Sequence, residues 1–449
     1  MKITFCSGAE TVTGANFLIE SQGKKILVDC GLVQDGNMSS EINYSDFIFD
    51  PSTVDVLLVT HAHLDHVGRI PKLVKKGFHG KIMSTRETKE LARIVLEDAA
   101  QILLHEAQNE GKQPIFVFED IEPIFENWSV YPYYETFSVV DSIKATMKDA
   151  GHILGSAMYE IDIENKKILF TGDLGNSPSP LLRDTDSIGS VDYIVMESVY
   201  GDRNHESKDE RDKRFKEIIN ETIGRGGTLI IPAFSIERTQ VLLYELNNLV
   251  EKKEIESVPV FVDSPMAIKV TDIYKSSTEL FNSKIKEQIQ RGDNVFEFKN
   301  LHFTITNQES RDIDHIKGPK IILAGSGMSV GGRVVSHEAR YLPDARNTIL
   351  LVGYQSVGSI GRELASGSKQ INIHGNNVGV KAKIETIYGF SAHKDSDHLL
   401  DFVNSADERL KKVFVVMGEL KASMFLAQRI RDELSVKAFT PTVGESIEL

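Results

Sequence analysis

One short stretch constrains this chain more than any other: in THAHLDHVG, His61, His63, Asp65 and His66 fall within six residues. The stretch follows directly on the apolar run VDVLLV, which reads as a buried β-strand. A strand end lies at the edge of a sheet, where a loop can turn several side chains toward one point. Imidazole and carboxylate groups are the ligands that zinc and other first-row divalent ions take. With 13 histidines in 449 residues, three of them beside an aspartate in so short a window is a metal signature. One loop cannot supply every ligand, so other strand ends must contribute. His152 in DAGHILGSA and Asp173 in FTGDLG both end strand-like runs and complete the pattern. Asp29 in LVDCG ends an earlier one and reads as a carboxylate that orients the histidine-rich loop from behind.

The arrangement of the remaining runs gives the organisation. The opening third alternates short strands and turns, then shows helical periodicity from Thr85, a suitable N-cap, to Gly111, a suitable stop. From about residue 208 strands and helices alternate, the pattern of a parallel sheet with crossover helices. The tail returns to mixed strands and helices. A chain this long exceeds one core, and an α/β insertion between two parts of another α/β domain fits the order. The expected boundaries are 1–205, 206–375 and 376–449. Charge supports the first of them. Of the net −14, residues 1–205 hold −13, with 18 basic against 31 acidic residues, whereas 206–375 balance at 23 and 23. No apolar run is long enough to span a bilayer, and the N-terminus does not read as a signal peptide. Only Cys6 and Cys30 occur, which excludes a disulfide framework and a thiolate zinc module. A reducing cytoplasm is the expected location.

HAHLDH, the glycine-flanked His152 and the carboxylate Asp173 together resemble the metal motifs of the metallo-β-lactamase superfamily. The later stretches MESVYGDR, IPAFSIERTQ, VDSPMA, ILAGSGMSVGGR, RNTILLVGYQSVGSIGREL and YGFSAHKD resemble its nucleic-acid-processing branch, the β-CASP family. The likeness runs over nearly the whole chain. It implies a metallo-β-lactamase αββα sandwich carrying an inserted α/β β-CASP domain of mainly parallel sheet. It further implies a metal-dependent ribonuclease acting on single-stranded RNA as an endonuclease, with 5′ exonuclease action also open. His61, His63, His152 and Asp173 would bind one Zn²⁺ tightly. Asp65, His66 and a bridging Asp173 would bind a second, and Asp65 is counted with the catalytic residues. Glu197 would orient His393, which would give a proton to the leaving oxygen. A homodimer is expected from relatives alone.

The family pattern has one departure here. A histidine is expected after the last core strand, within a V-H-G-E-like motif, but this chain has VVMGEL with Met417 at that position. A thioether is a poor ligand for a hard divalent ion. The second ion is therefore expected to be held more weakly, and a catalytically weakened RNA-binding or scaffold protein stands as the alternative. A hydrolase of small esters is a further option that the fold alone permits. Substrate phosphates are expected at the glycine-rich turn of Ser326, Gly327, Ser329, Gly331 and Gly332, which presents backbone N–H groups. Ser235, Arg238, Arg333 and Arg362 are further candidates, and His337 is a last one. Because the insertion is neutral, grip on RNA would rest on a few arginines and backbone amides rather than on a broad basic surface.

Overall fold

In this computed structural model, residues 1–34 and 38–449 are described. They form two compact units, Met1–Asn204 with His393–Leu449, and His205–Ala392.

The first unit is built on two seven-stranded sheets among the described residues. One runs, in spatial order, through Ser446–Glu448, Lys2–Ser7, Asn16–Ser21, Lys24–Val28, Val56–Leu58, Lys81–Ser84 and Trp128–Val130. The other runs through Lys437–Phe439, Lys412–Val415, Tyr193–Met196, Lys166–Phe170, Ala157–Ile163, Ile143–Asp149 and Thr136–Val140. Side chains alternate across a strand, and the sequence exploits both faces. Ile3, Phe5, Phe17, Ile19, Ile26, Val28, Val56 and Leu58 of the first sheet share one core with Ile161, Ile168, Phe170, Val195 and Phe414 of the second. The intervening Leu169, Ile194, Val413 and Val415 point the other way, onto Leu399, Phe402, Leu426 and Ile430 of the helices Ser396–Asn404 and Leu420–Leu434. This is the α/β sandwich expected from the motifs. Each fully buried Ile, Leu or Phe contributes about 1.5–3 kcal/mol, so the inter-sheet layer is the main stabiliser of this unit. The long helix Arg86–Glu110 starts where Thr85 accepts from the Thr88 N–H and ends where Gly111 turns left-handed at φ 66°, as read from sequence.

The second unit holds a six-stranded sheet in the order Leu301–Phe303, Val260–Asp263, Lys320–Ala324, Thr228–Pro232, Thr348–Val352, Lys383–Ile387. Every neighbouring pair in it is parallel. Its four central strands are fully buried, mainly apolar runs, as a sheet covered on both faces requires. The helix Lys208–Gly224 opens on a capping box between Ser207 and Glu210. The return to the first unit comes at His393, not near residue 376. The reason is pairing: Lys383–Ile387 extends the parallel sheet beside Thr348–Val352, which periodicity in a single strand cannot reveal. No helix among the described residues is long and apolar enough to cross a membrane.

One glycine sets the approach of the histidine-rich loop. Residues 30–32 lie against 64–66, with Cys30 N–H donating to His66 O, Leu32 N–H to Leu64 O, and Ala15 N–H to Asp65 O. A Cβ on Gly31 would sit 1.5 Å from Asp65 O, so any side chain must push the Asp65–His66 segment away. Gly31→Ala should lower stability by at least about 1–3 kcal/mol, the usual cost of overpacking. Urea unfolding measures it, and an unchanged midpoint would contradict this account.

Candidate metal centre

The strand ends named from sequence converge. In the first sheet Lys24–Val28 and Val56–Leu58 are parallel, so Asp29 and His61 emerge at the same edge. In the second, Lys166–Phe170, Tyr193–Met196 and Lys412–Val415 are parallel, which brings Asp173, Glu197 and Met417 to a common edge. Ile143–Asp149 has the same sense, two antiparallel steps away, and delivers His152.

Two donor groups form there. His61, His63, His152 and Asp173 make one, and Asp65, His66 and Asp173 another. In the first, His61 Nε2 and His152 Nε2 lie 3.1 and 3.2 Å from His63 Nδ1. Asp173 Oδ2 lies 3.4 and 3.5 Å from the same two Nε2 atoms. Four ligands around a tetrahedral ion with bonds of about 2.0–2.1 Å stand about 3.3 Å apart. The spacing matches. Burial, then repulsion from neighbouring histidines, holds His61, His63 and His152 below the ordinary imidazole range. They are therefore neutral rings with lone pairs, the form that binds a cation.

In the second group, His66 Nε2 lies 3.4 Å from Asp173 Oδ1 and 3.8 Å from Asp65 Oδ2. Among the described residues neither His66 Nε2 nor Asp173 Oδ1 finds a hydrogen-bond partner, although both are buried. Buried polar atoms left in this way are costly unless an ion satisfies them. Burial pushes the Asp65 carboxyl up to about 6. Burial would also lower His66, but Asp173, Asp29 and Asp65 outweigh it and raise the ring well above its usual range. The carboxylates of this group thus attract positive charge. Behind it, Asp29 accepts from the Thr60 N–H and hydroxyl, both at 2.8 Å, and meets His66 Nδ1 at 2.8 Å. That contact fixes the ring so that Nε2 faces inward. Thr60, whose hydroxyl also lies 3.1 Å from His61 Nδ1, was not picked out from the sequence; a lone threonine carries no signal of such a role.

Next to these groups stand Glu197 and His393. His393 Nδ1 meets Glu197 Oε1 at 3.0 Å. The carboxylate is itself fixed, with Leu174 N–H donating to Oε1 and Val199 N–H to Oε2. Burial opposes a charge on His393, but the Glu197 carboxylate prevails and the ring is pushed up to about 9. Met417 lines a small cavity together with Asp29, Thr60, His66 and Glu197. It is buried in the inter-sheet core, with its sulfur close against Gly8. The first donor group accordingly has four members and the second three.

The candidate phosphate residues all lie in the second unit. Ser235 and Ser264 hydroxyls are 3.1 Å apart beside Gly325. Several of these side chains are engaged within the unit itself. Arg333 spends its guanidinium on Asp263 Oδ1, the carbonyls of Thr304 and Ile305, and Asn307. Ser329 turns inward and donates to Glu338 Oε1 at 2.5 Å. His337 is likewise taken up by Asp263 at 2.7 Å. Arg238 is buried, Arg362 donates to Gln355 O, and Gly327 is covered by the Phe234 ring. Of the turn, Ser326, Gly331 and Gly332 keep partial exposure. Sequence offered no sign that Asp263, 70 residues from Arg333, or Glu338, on the helix that follows the turn, would claim these donors.

Comparison with known proteins gives matches along the chain. Residues 11–216 match the metallo-beta-lactamase superfamily, 239–364 the Beta-Casp domain, and 377–441 a Zn-dependent metallo-hydrolase RNA specificity domain. Ribonuclease TTHA0252 of Thermus thermophilus is 34% identical over 93% of this chain and 93% of its own. An RNase J-like protein of Methanocaldococcus jannaschii is 33% identical over 98% of both chains. Transcription termination factor FttA of Methanosarcina mazei is 30% identical over the whole of this chain and 72% of its own. A crystal structure of a protein of unknown function from Enterococcus faecalis shares the fold at a TM-score of 0.56 and 12% identity, over 100% of this chain and 99% of that one.

Metal should bind the folded state alone. Loading with Zn²⁺ at about 1,000 times its dissociation constant should stabilise the protein by about 4 kcal/mol, read as a rise in Tm that a chelator reverses. An unchanged Tm on chelation would count against the centre.

Proposed function

The chain belongs to the metallo-β-lactamase superfamily and carries its Beta-Casp domain, and on that premise we propose that it hydrolyses phosphodiester bonds of single-stranded RNA. The observation that carries the reading is the meeting of six donor side chains with a carboxylate-held histidine: the two donor groups share Asp173, and His393 stands beside them on Glu197. His61, His63, His152 and Asp173 would hold one Zn²⁺, and Asp65, His66 and Asp173 a second. Bound there, the ions supply an acidified water as nucleophile and neutralise charge building on the phosphoryl oxygens. Asp29 keeps the His66 ring in register. Glu197, fixed by two backbone N–H groups, occupies His393 Nδ1 and leaves the Nε2–H as the proton to be given away. An alkoxide leaves poorly without that proton.

With three donors among the described residues and Met417 beside it, the second group is the weaker of the two. Met417 alone does not favour a scaffold role, since every other chemistry-bearing position keeps its side chain. The fold would also permit ester hydrolysis, but the Glu197–His393 pair and the inserted domain favour a phosphodiester. Endonucleolytic cleavage is the primary mode, with 5′ exonuclease action beside it. Two buried free thiols, Cys6 and Cys30, fit a reducing cytoplasm; a homodimer rests on the family resemblance alone.

Metal-loaded protein should cut end-labelled single-stranded RNA, and chelator or the double change Asp65→Ala/His66→Ala should abolish the cut. Cleavage that persists in that variant would sink the mechanism, and tight binding without cleavage would favour the scaffold. The kcat for RNA should fall as pH rises through the His393 pKa, because the proton donor is lost. Glu197→Gln removes the charge that raises that pKa, so the basic limb should move to lower pH by about one unit or more. A limb that stays in place would separate the pair.

A further inference from the structure

Lys394 directly follows His393, yet its side chain is buried, with 5% of its surface exposed. An ammonium taken out of water is costly unless hydrogen bonds replace its hydration. Here they do. Lys394 Nζ donates to Gly175 O at 2.8 Å and to Ser177 Oγ at 3.0 Å. Its backbone N–H donates to Leu174 O at 2.9 Å. All three acceptors follow Asp173, the carboxylate shared by both donor groups.

The segment so gripped is packed against the others. Gly175 forms an isolated antiparallel bridge with His393. The Gly175 N–H donates to Ala150 O at 2.8 Å, two residues before His152. A Cβ on Gly175 would fall 1.9 Å from Gly151 O, so the two loops touch through backbone. Thr185 Oγ1 bonds both Ala150 O and Gly175 O. Leu174 N–H in turn donates to Glu197 Oε1, the same oxygen that meets His393 Nδ1. Three loops, carrying His152, Asp173 and His393, are thus stitched together, and Lys394 supplies a side-chain stitch that starts from the His393 loop itself.

We infer that Lys394 is a positioning residue: its buried ammonium ties the His393 backbone to the Asp173 loop and so fixes the proton donor relative to the metal-binding carboxylate. It touches neither the donor atoms of the centre nor, on this account, the substrate. A donor displaced by about 1 Å loses on the order of 10²-fold in rate. The loss should appear only where protonation of the leaving group matters. The inference rests on the proposed reaction and on His393 as its acid.

Two phosphodiester substrates separate the possibilities. A short single-stranded RNA has an alkoxide leaving group that needs a proton; a 4-nitrophenyl phosphodiester releases a phenolate that does not. Lys394→Met should keep the metal stoichiometry, measured by mass spectrometry of the purified full chain, and keep the nitrophenyl rate within about two-fold. Its kcat for RNA should fall by about 10²-fold with KM little changed. Lys394→Gln, which retains a neutral donor, should lose less and serves if the methionine variant does not fold. Loss of metal, or an equal loss on both substrates, would overturn the inference in favour of a purely structural lysine. Unchanged RNA cleavage would overturn it outright. His393→Ala is the control for the underlying reading. If it too cuts both substrates in the parent's ratio, the proton-donor assignment fails; if it is selective and Lys394→Met is not, the Lys394 inference alone fails.

Discussion

Asp173 is the group on which the rest of the centre depends. One oxygen closes the set with His61 and His152, the other faces His66, and the residue also stands within the group of Glu197 and His393. A carboxylate buried this deeply would ordinarily resist ionisation. The positive charge of His66, with His61 close beside the carboxylate, overcomes that penalty and holds it well below the usual range. Remove it, and three histidines lose the anion that draws their nitrogens to a common point. Burial keeps the rings of His61, His63 and His152 neutral despite this negative charge, whereas at His66 the carboxylates prevail over burial.

The scaffold that presents Asp173 is a matter of backbone proximity. Parallel strands in each sheet end at one edge, and the loops leaving them approach so closely that glycine is required. Gly31 lies under Asp65 and Gly175 under Gly151. Such contacts leave the candidate donor side chains little freedom, which is what a preorganised ion site needs. Asp29 and Thr60 extend the same rigidity one layer outward.

In the second unit the donors are arranged differently. Arg333 and Ser329 attract attention in the sequence because they flank glycines after an apolar strand, the setting in which phosphate-binding turns occur. Asp263 and Glu338 absorb them. A basic or hydroxyl side chain is equally suited to an external anion and to an internal carboxylate, and only three-dimensional proximity chooses between them. The boundary at His393 is a case of the same kind. The strand Lys383–Ile387 looks alike in either unit, and its partner Thr348–Val352 decides its membership.

The donor types gathered at the candidate centre can be read from local sequence. A histidine-rich turn after an apolar strand, a glycine-flanked histidine and strand-end carboxylates have few other uses, because burying such groups is costly unless something satisfies them. Sequence by itself also determined the layered α/β architecture, since alternation along Ile3 and Phe5 or Leu169 and Phe170 encodes which face is buried. Tertiary structure alone decided which nitrogen of each ring points inward, which side chains act from behind, and which arginines remain for a ligand. Those choices follow from hydrogen bonds between residues far apart in the chain, Asp29 with His66, Glu197 with His393 and Lys394 with Gly175, and local sequence carries no trace of them.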